Sequence, residues 1–341
     1  MSRIVFVAPG VQPPWTEGRK LFVRDLEREA RRRGIEATLL AAADAPRWRQ
    51  PFAAVRALER ALAAARPHHV AIFPYGAFDG LRGLVNRLFV RRAARACGAA
   101  GAPYSIVLYS CPFGTMAGVG RRGERVCAVG HDTPEGELLC LGLDREAPPW
   151  TPPSGRDLLF VSGYQDPAPA SVEAVLAERG LRTLLDALRA LPGLRLTVAI
   201  PFLRDPRARA RVHGECVARG VADRVDLEGE VDVDAAMRAH ALLAFPYERV
   251  HDAFVPTTLL EAFSRGMPVV ASERPMYAGL LRSLGTAPTT CRAGDAVDLA
   301  RAISLVFADY DGSVARAAGA RAAIAARWTI ARAFDALFTG T

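Results

Sequence analysis

Between Glu248 and Ser272 the chain reads ERVHDAFVPTTLLEAFSRGMPVVAS, a stretch where acids, hydroxyls and turn formers crowd ahead of an apolar run. The apolar segment Ala241 to Phe245 stops at Pro246, and a polar loop follows. A helix is expected from about Pro256, because proline at the first helical position gives up an N–H that would be unpaired there anyway. Thr257, Thr258 and Glu261 then fall in the first two turns, and Gly266 ends the helix before Pro268 and the apolar Val269 to Ala271. A helix N-terminus that opens on a polar loop gathers backbone N–H groups and the positive end of the dipole, so a phosphate is its natural guest. Read alone, Glu261 is an acid near a helix start that the dipole stabilises, and the two threonines are ordinary cap residues.

The elements that must hold this stretch are legible on both sides of it. Ile4 to Ala8 reads as a buried strand, PGVQPPWTEG as a turn, and Arg19 to Arg33 as a helix closed by Gly34. Strands are expected at Glu36 to Leu40, His69 to Phe73 and Tyr104 to Tyr109, with helices at Phe52 to Ala65 and Gly80 to Cys97 between them. Val126 to Val129 and Leu138 to Leu141 read as short final strands. The proline-rich segment 145–156 marks a semi-rigid linker, after which the alternation restarts. Further strands are expected at Asp157 to Val161, Arg195 to Ile200, Val225 to Leu227 and Ala287 to Thr290, and helices at Ser171 to Leu191 and Pro206 to Arg219. The end reads as helical: Ala296 to Phe307, Val314 to Ala326 and Trp328 to Phe338. Strand and helix alternating at this spacing imply parallel sheets covered on both faces, with ligands at the carboxyl ends of the strands.

Composition narrows the class. At 341 residues the chain is long for one core, which favours two domains. The six cysteines, Cys97, Cys111, Cys127, Cys140, Cys216 and Cys291, are scattered with no C-x-x-C pair and no nearby histidine to complete a zinc pattern, so a reduced cytoplasmic protein without a metal site is expected. Met1 to Ala8 is too short an apolar run for a signal peptide, and no window approaches the ~20 apolar residues of a membrane span. A net charge of +8 favours anionic partners, but its arginines are spread along the chain and gather in no tail, which points away from nucleic acid.

Residues 257–272, TTLLEAFSRGMPVVAS, resemble the donor-site helix of the retaining glycosyltransferases of family 4. Phe160 to Tyr164 (FVSGY) with Glu178 to Leu188 (ERGLRTLLDAL) is similar to that family's first C-domain strand and the basic residue plus glycine that start its next helix. Leu141 to Asp144 resembles the interdomain join and Trp328 onward the closing helix, so the likeness runs nearly end to end and is strongest over 157–272. It implies an α/β protein of GT-B architecture, two Rossmann-like doubly wound domains facing across a cleft. The expected divisions are an acceptor-side domain over 1–144, the linker 145–156, a nucleotide-sugar donor domain over 157–326 and a closing helix over 327–341.

Roles follow from the same resemblance. Glu261 matches the glutamate that accepts hydrogen bonds from the ribose hydroxyls, a task suited to two acceptor oxygens. Thr257 and Thr258 would face the diphosphate, and Gly18, Gly163 and Gly229 would let backbone approach donor or acceptor. Arg179 stands where the family usually has a lysine that neutralises the leaving diphosphate, and arginine keeps that charge while adding a planar donor fork. The sequence departs from the pattern at three places. Tyr164 replaces the arginine after the strand glycine, leaving Arg182 or Arg249 as possible second cations. Ala253 replaces the first glutamate of E-x7-E, leaving Asp252 next to it, with Glu248 and His251 as other groups for the sugar hydroxyls. Tyr109 stands where many members carry a histidine at the end of an N-domain strand, with His131 as a possible substitute.

The resulting expectation is a transferase that moves a sugar from a nucleoside diphosphate-sugar to a small-molecule, glycan or lipid acceptor with retention, without a metal or other cofactor. Metal independence follows from the resemblance, with the helix dipole and Arg179 taking the place of a divalent cation under the diphosphate. Its rivals are a GT-B partner or regulator that binds nucleotide without catalysis, and an epimerase or hydrolase on the same architecture, which the lack of an evident acid/base carboxylate pair disfavours. In the Gly80 to Cys97 helix the apolar Leu81, Leu84, Val85 and Leu88 give way to Arg92 and Arg95 on the same face, a pattern that suits peripheral contact with the anionic inner face of a membrane or a phosphorylated acceptor.

Overall fold

A computed structural model describes residues 2–13, 18–46, 49–74, 80–108, 125–129, 137–139, 149–249, 256–274, 280–281, 284 and 289–338. The chain divides into two compact units, one built from Met1–Arg145 with Arg327–Thr341, the other from Glu146–Val250 with Pro256–Ala326.

In the first unit six parallel strands lie in the order β2-β1-β3-β4-β5-β6. They are β1 (Arg3–Val7), β2 (Glu36–Leu40), β3 (His69–Ile72), β4 (Tyr104–Leu108), β5 (Arg125–Val129) and β6 (Glu137–Leu139). The helices α1 (Gly18–Arg32), α2 (Gln50–Ala64) and α3 (Gly80–Ala99) form the crossovers between β1 and β4. With both faces covered, the strands are continuous apolar runs: Ile4 to Val7 and Val70 to Ile72 are buried throughout. Val5, Val7, Val55, Leu58, Ile72, Phe89 and Val90 interlock in one core. The chain's final helix, α11 (Ile330–Phe338), packs on α1: Arg33 pairs with Asp335 and lies over the Phe334 ring at 4.6 Å. Arg125 donates to the carbonyls of Ala336 and Leu337, and Phe338 meets Phe6 and His69 edge-on.

The second unit repeats the plan with strand order β12-β11-β10-β7-β8-β9, all parallel. Its strands are β7 (Leu158–Val161), β8 (Leu196–Ala199), β9 (Val225–Glu228), β10 (Leu242–Phe245), β11 (Val269–Ser272) and β12 (Thr289–Cys291). Its helices are α4 (Pro169–Glu173), α5 (Leu181–Arg189), α6 (Pro206–Ala218), α7 (Val233–Ala239), α8 (Thr257–Arg265), α9 (Ala296–Ala308) and α10 (Tyr310–Arg327). The stretch expected as a linker is partly anchored here. Trp150 is buried, takes the Arg265 carbonyl with its backbone N–H at 2.8 Å and donates its indole N–H to the Met237 carbonyl at 3.0 Å.

Two local expectations are corrected. The single helix over Ser171 to Leu191 is broken: α4 runs into a π-turn at Ala174–Glu178, and Gly180 takes a left-handed conformation, φ +71°, before α5 begins. The break is steric, since a Cβ on Gly180 would lie 1.9 Å from the Pro246 carbonyl oxygen. Pro256 is the N-cap and not the first helical residue, because its ψ of 126° is extended; Thr257 opens the helix.

Candidate functional site

The second sheet reverses direction between β7 and β10. From β7 the chain crosses outward to β8 and from β10 it crosses the other way to β11, so the carboxyl ends of β7 and β10 flank the crevice where a doubly wound sheet takes its ligand. Ser162, Gly163 and Tyr164 leave β7 at that point, and Pro246, Tyr247 and Glu248 leave β10 beside them. Helix α8, which connects β10 to β11, begins at the same end of the sheet.

The π-turn delivers Arg179 to this crevice. The Glu178 carbonyl accepts the N–H groups of both Glu248 and Arg249 at 2.9 Å, and Gly180 lies against Pro246, so the turn is fastened to the loop after β10 at two points. The Arg179 guanidinium sits over the Tyr247 ring at 4.4 Å and 5.5 Å from the centre of the Tyr164 ring. Tyr247 is in turn stacked on Phe245 with ring centres 3.7 Å apart, and it is only 4% exposed. Burial pushes its phenol above the ordinary range, an effect that the positive charge of Arg179 opposes.

Glu248 is half-buried, and its carboxylate accepts the Thr183 hydroxyl from α5 while the loop at Gly294 approaches its other oxygen. It therefore braces the start of α5 against the loop after β10. In α8 the N–H groups of Leu259 and Leu260 turn to the Pro256 carbonyl at 3.1 and 3.3 Å, and those of Thr257 and Thr258 head the helix without a side-chain cap among the described residues. Glu261 is half-buried one turn further on, its carbonyl accepting the Ser264 hydroxyl and the buried Arg265 side chain. Arg265 also bonds Asp234 at 2.7 Å, and Gly266, φ +77°, closes the helix.

The structure removes one alternative. Arg182, considered as a second cation, donates to Glu173 at 2.5 Å and to Glu215 at 3.0 Å, and Arg219 joins the same group through Glu215 and Asp186. Both glutamates are held below the usual carboxylate range, first of all by the Arg182 hydrogen bonds. Arg182 is thus a strut between α4 and α6. Arg249 is exposed beside Glu248. Gly229 follows the edge strand β9, two strands from β7, where its Cα hydrogen faces the Arg204 side chain; a Cβ would meet that chain at 2.9 Å.

Asp252, Tyr109, His251, Ala253 and His131 lie outside the described residues. Gly18 opens α1, and the next residue, Arg19, is buried and donates to the carbonyls of Pro9 and Pro74 at 2.7 and 3.1 Å. Arg19 thereby ties the carboxyl ends of β1 and β3, the switch point of the first sheet. Tyr247 and Thr183 were not singled out from the sequence as members of the site, and Gly180 was read only as the glycine that starts a helix. The signal for Tyr247 was an aromatic residue placed directly after a buried strand and a proline.

The fold and this crevice define the class. Two parallel α/β units with a Rossmann-type order in the second match solved GT-B glycosyltransferase structures over nearly the whole chain. Sucrose-phosphate synthase from Thermosynechococcus elongatus aligns with a TM-score of 0.73 at 14% identity, covering 97% of this chain and 96% of the other. A glycosyltransferase from Rickettsia africae aligns with a TM-score of 0.73 at 13% identity over 98% and 96%. HepE from Anabaena, solved in complex with UDP-glucose, aligns with a TM-score of 0.70 at 16% identity over 98% of each chain. No curated protein matches at the level of sequence. The sequence model of glycosyl transferases group 1 matches residues 172–309, which lie in the second unit apart from 251–255.

Proposed function

We propose that the chain is a glycosyltransferase that takes a sugar from a nucleoside diphosphate-sugar and passes it to an acceptor with retention of configuration and without a metal ion. The observation that carries this reading is the convergence of Arg179, Glu248 and the N-terminus of α8 on the switch point of a sheet within a segment of the group 1 family. The α8 N-terminus and Arg179 supply positive charge for a diphosphate, and Glu261 supplies acceptors for ribose hydroxyls. As the sugar–phosphate bond breaks, the leaving diphosphate gains charge, and donors already aimed at it stabilise that state more than the ground state. The departing phosphate oxygen is the base that takes the acceptor's proton. Asp252 and Tyr109 remain the residues proposed to act at the sugar.

HepE was solved with UDP, with UDP and glucose, and with UDP-glucose, which makes uridine donors the first to try. Thermal-shift screening against UDP-, GDP-, ADP- and dTDP-sugars selects the donor. Glu261→Ala should then weaken nucleotide binding by about 1–3 kcal/mol, measured by calorimetry. Unchanged affinity places the nucleotide elsewhere. Donor hydrolysis, followed with and without EDTA, tests metal independence, and the anomeric configuration of the product tests retention. Nucleotide binding with no turnover of any donor favours a binding partner that has lost catalysis.

A membrane-facing role rests on α3. Leu84 and Leu88 are 54% and 45% exposed, and Arg91, Arg92 and Arg95 continue their stripe in exposed positions. Arg92 is shared with Glu59 at 3.4 Å. Apolar side chains followed by arginines suit a surface of anionic headgroups and, with it, a lipid-linked acceptor. Among the described residues no helix is long and apolar enough to cross a membrane.

A further inference from the structure

Tyr164, in the loop after β7, stands where the resemblance implies a second cation, and in the crevice its ring faces Arg179 instead. The Arg179 guanidinium lies between two rings, 4.4 Å from the centre of Tyr247 and 5.5 Å from that of Tyr164. Tyr247 cannot move aside. It is buried, stacked on Phe245, and its hydroxyl is reached by the side chains of Ser162 and Arg179. Tyr164 is half-buried, and its carbonyl is fixed by the Phe202 N–H at 3.2 Å. The backbone beneath is equally constrained, through Glu178 to Glu248 and Arg249 and through Gly180 to Pro246. A free arginine side chain loses rotamer entropy when a ligand immobilises it, whereas one already seated on a desolvated ring has lost most of that beforehand.

We infer that Tyr247, with Tyr164, is a positioning residue that fixes the guanidinium of Arg179 in the direction of the donor's terminal phosphate. The inference rests on the donor-site reading above and adds to it the means by which the Arg179 charge is held ready. Both rings contact the arginine, so on this inference their removal acts through Arg179.

The test uses the full chain and calorimetric titration with UDP and UMP, with GDP, ADP and dTDP and their monophosphates as substitutes if UDP does not bind. Tyr247→Leu should weaken the diphosphate about tenfold, the scale of a desolvated cation–π contact, while the monophosphate changes less than about twofold. Tyr247→Phe, which keeps the ring, should retain diphosphate affinity within about threefold. In an Arg179→Ala background, Tyr247→Leu should have no further effect on the diphosphate. Equal losses for diphosphate and monophosphate, or an undiminished effect in that background, would overturn the inference and make Tyr247 a support for the loop. If Tyr247→Leu lacks a cooperative melt, Tyr164→Leu replaces it with the same expectations and the same contrary outcomes. A wild-type chain that binds none of the four diphosphates overturns the donor-site reading and this inference together. Wild-type binding with no loss in the leucine variants overturns this inference alone.

Discussion

Gly180 shows how much a site can depend on a residue with no side chain. Its left-handed φ is costly for an L-residue, and its contact with the Pro246 carbonyl leaves no room for a Cβ. Gly180→Ala should cost about 2–4 kcal/mol, the sum of a left-handed alanine and an overpacked contact, and should lower diphosphate affinity by displacing Arg179; urea unfolding and calorimetry measure the two effects. His69 offers a second prediction. It is buried at the start of β3, hydrogen-bonded to the Ser105 hydroxyl at 3.0 Å, and burial with the nearby Arg125 charge pulls its pKa down to about 4. In the unfolded chain the same group titrates near its reference value of about 6.5. Between these values the unfolded chain holds the extra proton. Stability should therefore be full above about pH 6.5 and fall on acidification toward about pH 4, by an amount on the order of 3 kcal/mol. Urea midpoints across that window, compared with His69→Gln, isolate the effect; the variant should show a shallower slope.

At the scale of elements, the expected single helix over Ser171 to Leu191 was replaced by a helix, a π-turn and a second helix, and the substitution has a purpose in space. A continuous helix would carry Arg179 along its side, whereas the π-turn and the left-handed glycine place it on the loop after β10. Arg182 keeps the shortened α4 in place by joining Glu173 to Glu215 on α6. The closing helix α11 is held by burial more than by charge. Phe334 is fully enclosed and contacts Phe338 at 4.6 Å, while the Arg33–Asp335 pair is half-exposed. Phe334→Ala should destabilise the first unit by about 3–5 kcal/mol, and Asp335→Ala by about 1 kcal/mol or less, read from denaturant unfolding.

On the scale of the whole molecule, the +8 net charge is a poor guide to a partner until it is placed on a surface. Several arginines are offset by a paired acid: Arg24 by Asp25, Arg32 and Arg33 by Glu29, Arg219 by Glu215, and Arg265 by Asp234. The stripe on α3 combines exposed arginines with exposed leucines, so sedimentation with vesicles containing phosphatidylglycerol should retain the protein at low salt and release it at high salt. Leu84→Ser with Leu88→Ser should reduce retention several-fold. Equal retention by neutral vesicles, or none by anionic ones, would remove the membrane from the list of partners.

The alternation of apolar runs with amphipathic helices was enough to read two doubly wound α/β halves from the sequence, because short apolar runs bounded by turn residues and separated by longer helical periods are what βα units require. The segment after Pro256 was legible for a related reason: proline, threonine, glutamate and glycine each mark a local backbone need of a helix that starts at a crevice and ends in a left-handed turn. What no local signal could reveal was the company each residue keeps. Arg179 and Arg182 are three positions apart and alike in charge, yet one faces Tyr247 in the crevice and the other is paired with Glu173 and Glu215. Tyr164 looked like the loss of a cation and Tyr247 like an unremarkable residue after a strand. Only the parallel pairing of β7 with β10 brings them to the same guanidinium, because strand neighbours distant in the chain are chosen by the packing of the whole sheet and not by the residues beside them.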